Sequence, residues 1–259
     1  MKKTIIKVAA VLFLTTLTSC GVDMLNRIEG NNNVTSIKRD IYADFTKVKV
    51  SAGLELFIQQ GSEISLTVEA DENLHDIIIT EVVDGKLKIY TEKNIWKSTA
   101  KKVYLTLNTI EELTASSGSI VVSESVLKAT NLDVSSSSGA NLTIEVAATN
   151  LISSTSSGSS SQIEANTTSV ISTSSSGSSL NLSGETTSHE TSASSGSSIT
   201  AYKLVSKDVI AKVSSGASIS VYASSSIDGK ASSGGGISFE GNPEKVTKNT
   251  SSGGRVFPR

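Results

Sequence analysis

Residues 151–163 read LISSTSSGSSSQI, and residues 170–182 read VISTSSSGSSLNL, the same phrase nineteen residues further on. Its Ser-Ser-Gly core occurs eight times, with glycines at Gly118, Gly139, Gly158, Gly177, Gly196, Gly216, Gly234 and Gly253. Successive spacings are 21, 19, 19, 19, 20, 18 and 19 residues. Helical-pair repeats and propeller blades need longer periods. A period near 19 suits one turn of a β-solenoid, in which each coil stacks on the one before.

The residues around the triplet keep the same phase. Seven before Gly139 and each later glycine stand Leu132, Leu151, Val170, Val209, Ile227 and Val246, with His189 the polar exception. Three after it stand Val121, Leu142, Leu180, Ile199, Ile219, Ile237 and Val256, with Ser161 the exception. Ile144, Ile163, Leu182, Val221 and Phe239 follow two residues later, so apolar positions recur at the strand period. Stacked in register, they form aliphatic ladders inside a coil. The position three before the glycine is small, from Ala115 and Ser136 to Thr250, as a narrow coil requires. The glycine itself belongs at a bend where the backbone needs positive φ. The Ser-Ser pairs are expected to stack their hydroxyls along the axis. A flexible Gly/Ser linker has no reason to hold aliphatic columns in phase. The sequence therefore predicts an all-β fold, a single-stranded parallel β-helix with about 19 residues per rung. A right-handed coil is expected from the usual hand of parallel crossovers.

The N-terminus carries a different signal. Lys2 and Lys3 precede a short apolar run from Ile5 to Leu17, followed by Leu17-Thr18-Ser19-Cys20. This reads as a lipoprotein signal peptide over residues 1–19, with cleavage before Cys20 and acylation of its thiol. Acyl chains on Cys20 would make the membrane a partner without the chain entering its core. Cys20 is the only cysteine, so neither a disulfide nor a cysteine metal site is expected. Removal of residues 1–19 takes three lysines and no acid, leaving 20 basic and 25 acidic residues and a net charge of −5. No Lys or Arg lies between Lys128 and Lys203, and no aromatic residue between Tyr104 and Tyr202. Nucleic-acid binding, which needs a cationic surface and stacking groups, is disfavoured.

Residues 20–40 read as a polar spacer. Residues 41–114 have larger side chains and less regular strands: Val48, Val50, Leu54, Leu56 and Ile58 alternate with polar neighbours, and Asp84-Gly85 marks a tight hairpin turn. These are irregular opening rungs or a cap over the first solenoid edge. Residues 115–259 hold the regular repeats, and 41–259 form one continuous domain.

Residues Asp44-Phe45-Thr46-Lys47-Val48-Lys49-Val50-Ser51-Ala52-Gly53, the following Leu54 to Gly61, Val68 to Leu74, and Gly85 to Tyr90 resemble the opening of the head GIN domain family. The resemblance extends over roughly residues 30 to 253. It implies a parallel β-helix and an adhesion role in bacterial lipoproteins, with no catalytic motif to transfer.

Candidates for chemistry are few. A nucleophilic serine needs a base and an oxyanion site, and the only histidines are His75 and His189. No Gly-x-Ser-x-Gly elbow occurs, and His189 occupies a core column. The acids Asp133, Glu145, Glu164, Glu185 and Glu190 are read as sharing no repeat phase, with Glu164 and Glu185 the pair able to meet across rungs. Sequons at Asn141 and Asn181 are read as products of serine-rich composition. The resulting expectation is an exported, non-enzymatic envelope protein without cofactor, anchored through Cys20 to the outer membrane and facing periplasm or surface. It would act as an adhesin toward a surface protein or glycan. A structural spacer without ligand and a polysaccharide-active enzyme are the alternatives.

Overall fold

The structure, a computed structural model, describes residues 27–259. Long strands follow one another through the repeats: Asn141–Thr155, Ser160–Ser174, Ser179–Ala193, Ser198–Val213 and Ser218–Ala231. Each pairs in parallel with the next, so Leu151 lies on Val170 and Val170 on His189, nineteen residues apart. Every coil has two arms, with a Ser-Ser-Gly turn at one end and an unpaired corner residue such as Thr149 or Thr168 at the other. The coils form a β-solenoid of about eight turns, with rungs roughly 4.8 Å apart.

The turn explains both the serine and the glycine. Ser157 and Gly158 both have positive φ, 53° and 70°, and the Ser159 N–H donates to the Ser156 carbonyl at 3.1 Å. This is the type I′ arrangement, whose two left-handed residues match the twist of the flanking strands. All eight triplets repeat it. The left-handed pair also turns its peptides along the axis. Each turn glycine N–H donates to the carbonyl of the left-handed serine one rung on, from Gly118 to Ser138 through Gly234 to Ser252, at 3.0–3.1 Å. The eight glycines therefore form the column that the repeat predicts.

A different serine carries the hydroxyl ladder. Among the described residues no hydroxyl of a triplet's Ser-Ser pair makes a hydrogen bond, because the turn directs both side chains outward. The buried serine just after the glycine does this instead. The Ser159 hydroxyl is shared between the carbonyls of Ser156 (2.7 Å) and Ser136 (3.0 Å), and Ser178 does the same with Ser175 and Thr155. Where interior Ser161 replaces an aliphatic residue, it meets Ser136 at 2.7 Å and Thr155 at 3.2 Å. A narrow polar seam thus lies beside the aliphatic columns, in which Ser136, Thr155, Ser159, Ser161 and Ser178 supply one another, whereas the buried Ser153 hydroxyl has no partner.

The opening segment follows the same turn before leaving it. Ala52 and Gly53 have φ of 60° and 72°, and the Gly53 N–H donates to Ser117. Strands Lys47–Val50 and Glu55–Gln60 pair in parallel with Glu112–Ala115 and Ile120–Ser123. Between these two coils the chain makes a long excursion that covers the end of the solenoid. Lys86–Thr91 adds to one arm and folds against Ile78–Val83 in an antiparallel hairpin at Asp84-Gly85. Lys101–Leu107 adds to the other arm and carries Ser65–Asp71 and Val34–Arg39, both antiparallel. The buried Asp71 carboxylate ties this cap together by accepting N–H bonds from Thr99, Ala100 and Asn32 at 3.0–3.1 Å. Burial pushes its pKa up, but those backbone donors outweigh it and hold the group below the ordinary carboxylate value.

At the opposite end, Lys245–Thr250 is an exposed strand, and Val246, the last member of its core column, is 42% exposed. Lys245 and Lys248 on this edge oppose pairing with another chain.

Candidate binding recess

Besides the opening spacing of 21, two spacings depart from 19 residues, 20 and then 18, and together they place one structural feature. Asn181 pairs with Thr200, but Ser183 pairs with Lys203, so the longer coil carries one extra residue there. On the next coil Ala201 pairs with Val221 and Val205 with Tyr222, leaving Tyr202-Lys203-Leu204 as a bulge between them. A bulge redirects side chains that a regular ladder would hold in columns. Leu204 turns into the core, whereas Tyr202 and Lys203 turn outward.

Tyr202 lies along the outer sheet face. Its hydroxyl bonds to Ser238 Oγ at 2.8 Å, which meets Ser220 Oγ at 3.0 Å. The Arg259 guanidinium sits 4.5 Å from the centre of the Tyr202 ring and 3.3 Å from Glu240 Oε1. Burial pushes the Tyr202 pKa up, but the serine hydrogen bonds and the Arg259 charge outweigh it and leave the phenol below its ordinary value. Beside the ring, Gln162, Asn181 and Thr200 form a strip one rung apart on the exposed face. With Lys203 at the rim, these groups enclose a recess of about 570 Å³. The wall combines polar side-chain ends with the hydrocarbon surface of Leu182, Tyr202 and the side-chain stems, and it is anchored on paired strands.

The residues singled out by sequence lie elsewhere. Cys20 is outside the described residues. The turn glycines, Gly118 to Gly253, occupy one edge of the coil. His75 is buried in the cap, with Nε2 3.0 Å from Thr35 Oγ1. His189 is sealed in the core with Nε2 2.9 Å from Ser172 Oγ, the hydrogen bond of a nucleophile and its base. Three features remove that chemistry. Both residues are at most 1% exposed, Ser172 donates onward to Thr191 Oγ1 at 2.9 Å, and His189 Nδ1 has no orienting partner. Burial lowers the His189 pKa to about 4.

The acids also need correction. Glu145 and Glu164 share a phase and pair in register, because each stands six residues after its glycine. Glu164 and Glu185 do not meet. Glu185 is eight residues after Gly177 and pairs with Asn166 and Val205. Among the described residues, no group of three or more His, Cys, Asp or Glu is placed to hold a metal ion. No helix among them is long and apolar enough to cross a membrane.

Residues 44–170 and 155–243 match the family described as "Putative auto-transporter adhesin, head GIN domain". The chain belongs to the head GIN domain family. Solved structures agree on the fold of this head GIN chain. One described as a "putative adhesin", from Parabacteroides merdae, superposes with a TM-score of 0.83 at 20% identity, over 90% of this chain and 99% of that one. A "Putative lipid binding protein" from Parabacteroides distasonis gives 0.84 at 20% identity with the same coverage. A "putative adhesin" from Bacteroides fragilis gives 0.68 at 16%, over 90% of this chain and all of that one. At such identities the likeness concerns fold alone. No curated protein matches the sequence.

Proposed function

We propose that this head GIN chain is a lipid-anchored, non-catalytic adhesin of the cell envelope, which displays its outer sheet faces to a surface ligand. The observation that carries this reading is the Tyr202 recess, a set of convergent polar side chains on a rigid ladder with no paired acid and base. Family membership supports binding over catalysis, and Cys20 after a signal segment supports anchoring at the outer membrane. A lipid-chain site would call for an enclosed apolar cavity. The coil interior is instead filled by stacked columns such as Ile144, Ile163 and Leu182, each at most 3% exposed.

The test is adhesion of cells that carry the chain to glycan-coated and protein-coated surfaces, compared with cells that lack it. Reduced adhesion on deletion, restored by the wild-type chain, supports the proposal. Unchanged adhesion sinks it, and turnover of a polysaccharide by the purified chain would replace it with the enzymatic reading. Cys20→Ser should move the chain from the membrane to the soluble fraction. Retention in the membrane fraction after normal cleavage contradicts the anchor.

A further inference from the structure

We propose that the Tyr202 recess binds an acidic saccharide, its amide and hydroxyl strip taking vicinal hydroxyls and Lys203 taking the sugar carboxylate. This inference rests on the adhesin reading and specifies its ligand.

The geometry narrows the chemistry by elimination. The recess opens on the face of the sheet, where the strands that carry Gln162, Asn181 and Thr200 are each paired in register with their neighbours. Strand addition here has a free edge only along the terminal strand Arg255–Pro258, so on the face itself side chains select the ligand. An acyl chain needs an enclosed apolar cavity, whereas this recess is open to solvent and its apolar surface is edged by amides, hydroxyls and charges. A nucleic acid needs several unpaired cations along a track. The recess has two cations, of which Arg259 already faces Glu240.

What remains suits a compact polyhydroxylated ligand. Gln162 and Asn181 each present one carbonyl oxygen and two N–H donors, so an amide can accept from one hydroxyl and donate to its neighbour. In-register pairing repeats this capacity one rung on, and Thr200 extends the strip with a hydroxyl. Tyr202 forms a rigid flank because its hydroxyl is fixed by Ser238 and Arg259 packs against its ring. Such rigidity lowers the ordering cost of binding.

Charge decides between neutral and acidic sugars. Lys203 is exposed and, among the described residues, has no carboxylate within ion-pair distance. The preceding 74 residues, from 129 to 202, contain no other Lys or Arg. With Arg259 balanced by Glu240, the recess keeps one uncompensated positive charge on a chain that is acidic as a whole. A carboxylate is the group that such an isolated ammonium selects.

The experiment is calorimetric titration of the full chain carrying Cys20→Ser with trigalacturonate and, separately, with neutral galactotriose. Trigalacturonate should bind, and galactotriose should bind about tenfold more weakly for loss of one charged hydrogen bond. Lys203→Gln should abolish the preference for the acid, whereas Asn181→Ala should weaken both sugars about tenfold. Both residues are exposed, so an unchanged melting temperature shows that each variant remains folded. The inference is overturned by no heat with either sugar at ~10 mM, by equal binding of the two sugars, or by binding indifferent to both substitutions. If adhesion depends on the chain while these titrations fail, the adhesin reading stands and its ligand is a protein or another glycan. If adhesion does not depend on the chain but trigalacturonate binds as described, the recess stands alone.

Discussion

At the residue scale, His189 departs furthest from its column. It replaces an aliphatic side chain between Val170 and Val209 and is satisfied only by Ser172, leaving Nδ1 without a partner. Its pKa falls from 6.5 to about 4 through burial. A depressed histidine binds fewer protons folded than unfolded between those values. Stability is therefore greatest above pH 6.5 and declines as pH falls through that window, by roughly 3 kcal/mol at most. His189→Val should lie within about 1 kcal/mol of wild type at pH 7 and keep the stability that wild type loses between pH 6.5 and 4. Chemical denaturation at several pH values measures both, and parallel curves would show that His189 is not buried neutral. Asp71 acts in a lower window, because stability from a depressed carboxylate is lost only as pH falls below the ordinary value and through the folded one. Asp71→Asn should cost about 1–3 kcal/mol near neutrality by weakening charge-assisted bonds to the cap. Equal melting curves for wild type and variant would deny the carboxylate this structural role.

At the element scale, the turn and the column separate two kinds of glycine. Gly177 has φ of 67° and open space where a Cβ would go, so Gly177→Ala should cost only about 1–2 kcal/mol of left-handed strain, as neighbouring Ser176 already bears. Gly184, at φ 107°, would place a Cβ 2.2 Å from the Ala165 carbonyl oxygen, so Gly184→Ala must move backbone. Thermal melts should rank Gly184→Ala well below Gly177→Ala, and the reverse order would contradict the coil geometry. Leu180→Asp should cost about 3 kcal/mol or more, since it puts a carboxylate between Ser161 and Ile199 in the core. Glu185→Gln, on the exposed face, should be nearly silent. The repeat was readable because triplet and aliphatic columns share one phase, which fixes register from any single coil. The hydroxyl ladder was not, because serine occupies turn, wall and seam positions alike and composition does not distinguish them.

At the scale of the whole molecule, the sequence marks a solenoid with a less regular opening but not how that opening is built. Its antiparallel strands depend on pairing across the excursion between Gly53 and Gly118, and alternation alone does not reveal strand direction. The recess left a trace in the spacings of 20 and 18 residues, yet a spacing does not say which side chain a bulge turns outward. Tyr202, Lys203 and Arg259 become neighbours only when four successive coils are stacked. The proposed adhesin is a β-solenoid whose interior specifies shape and whose outer face would carry recognition. The most direct measurement of that claim is competition. Cells bearing the chain are allowed to adhere in the presence of the full chain carrying Cys20→Ser, with or without Lys203→Gln and Asn181→Ala. The account predicts dose-dependent inhibition by the single variant and much weaker inhibition when the recess is also altered. Adhesion unaffected by any amount of either protein would contradict it.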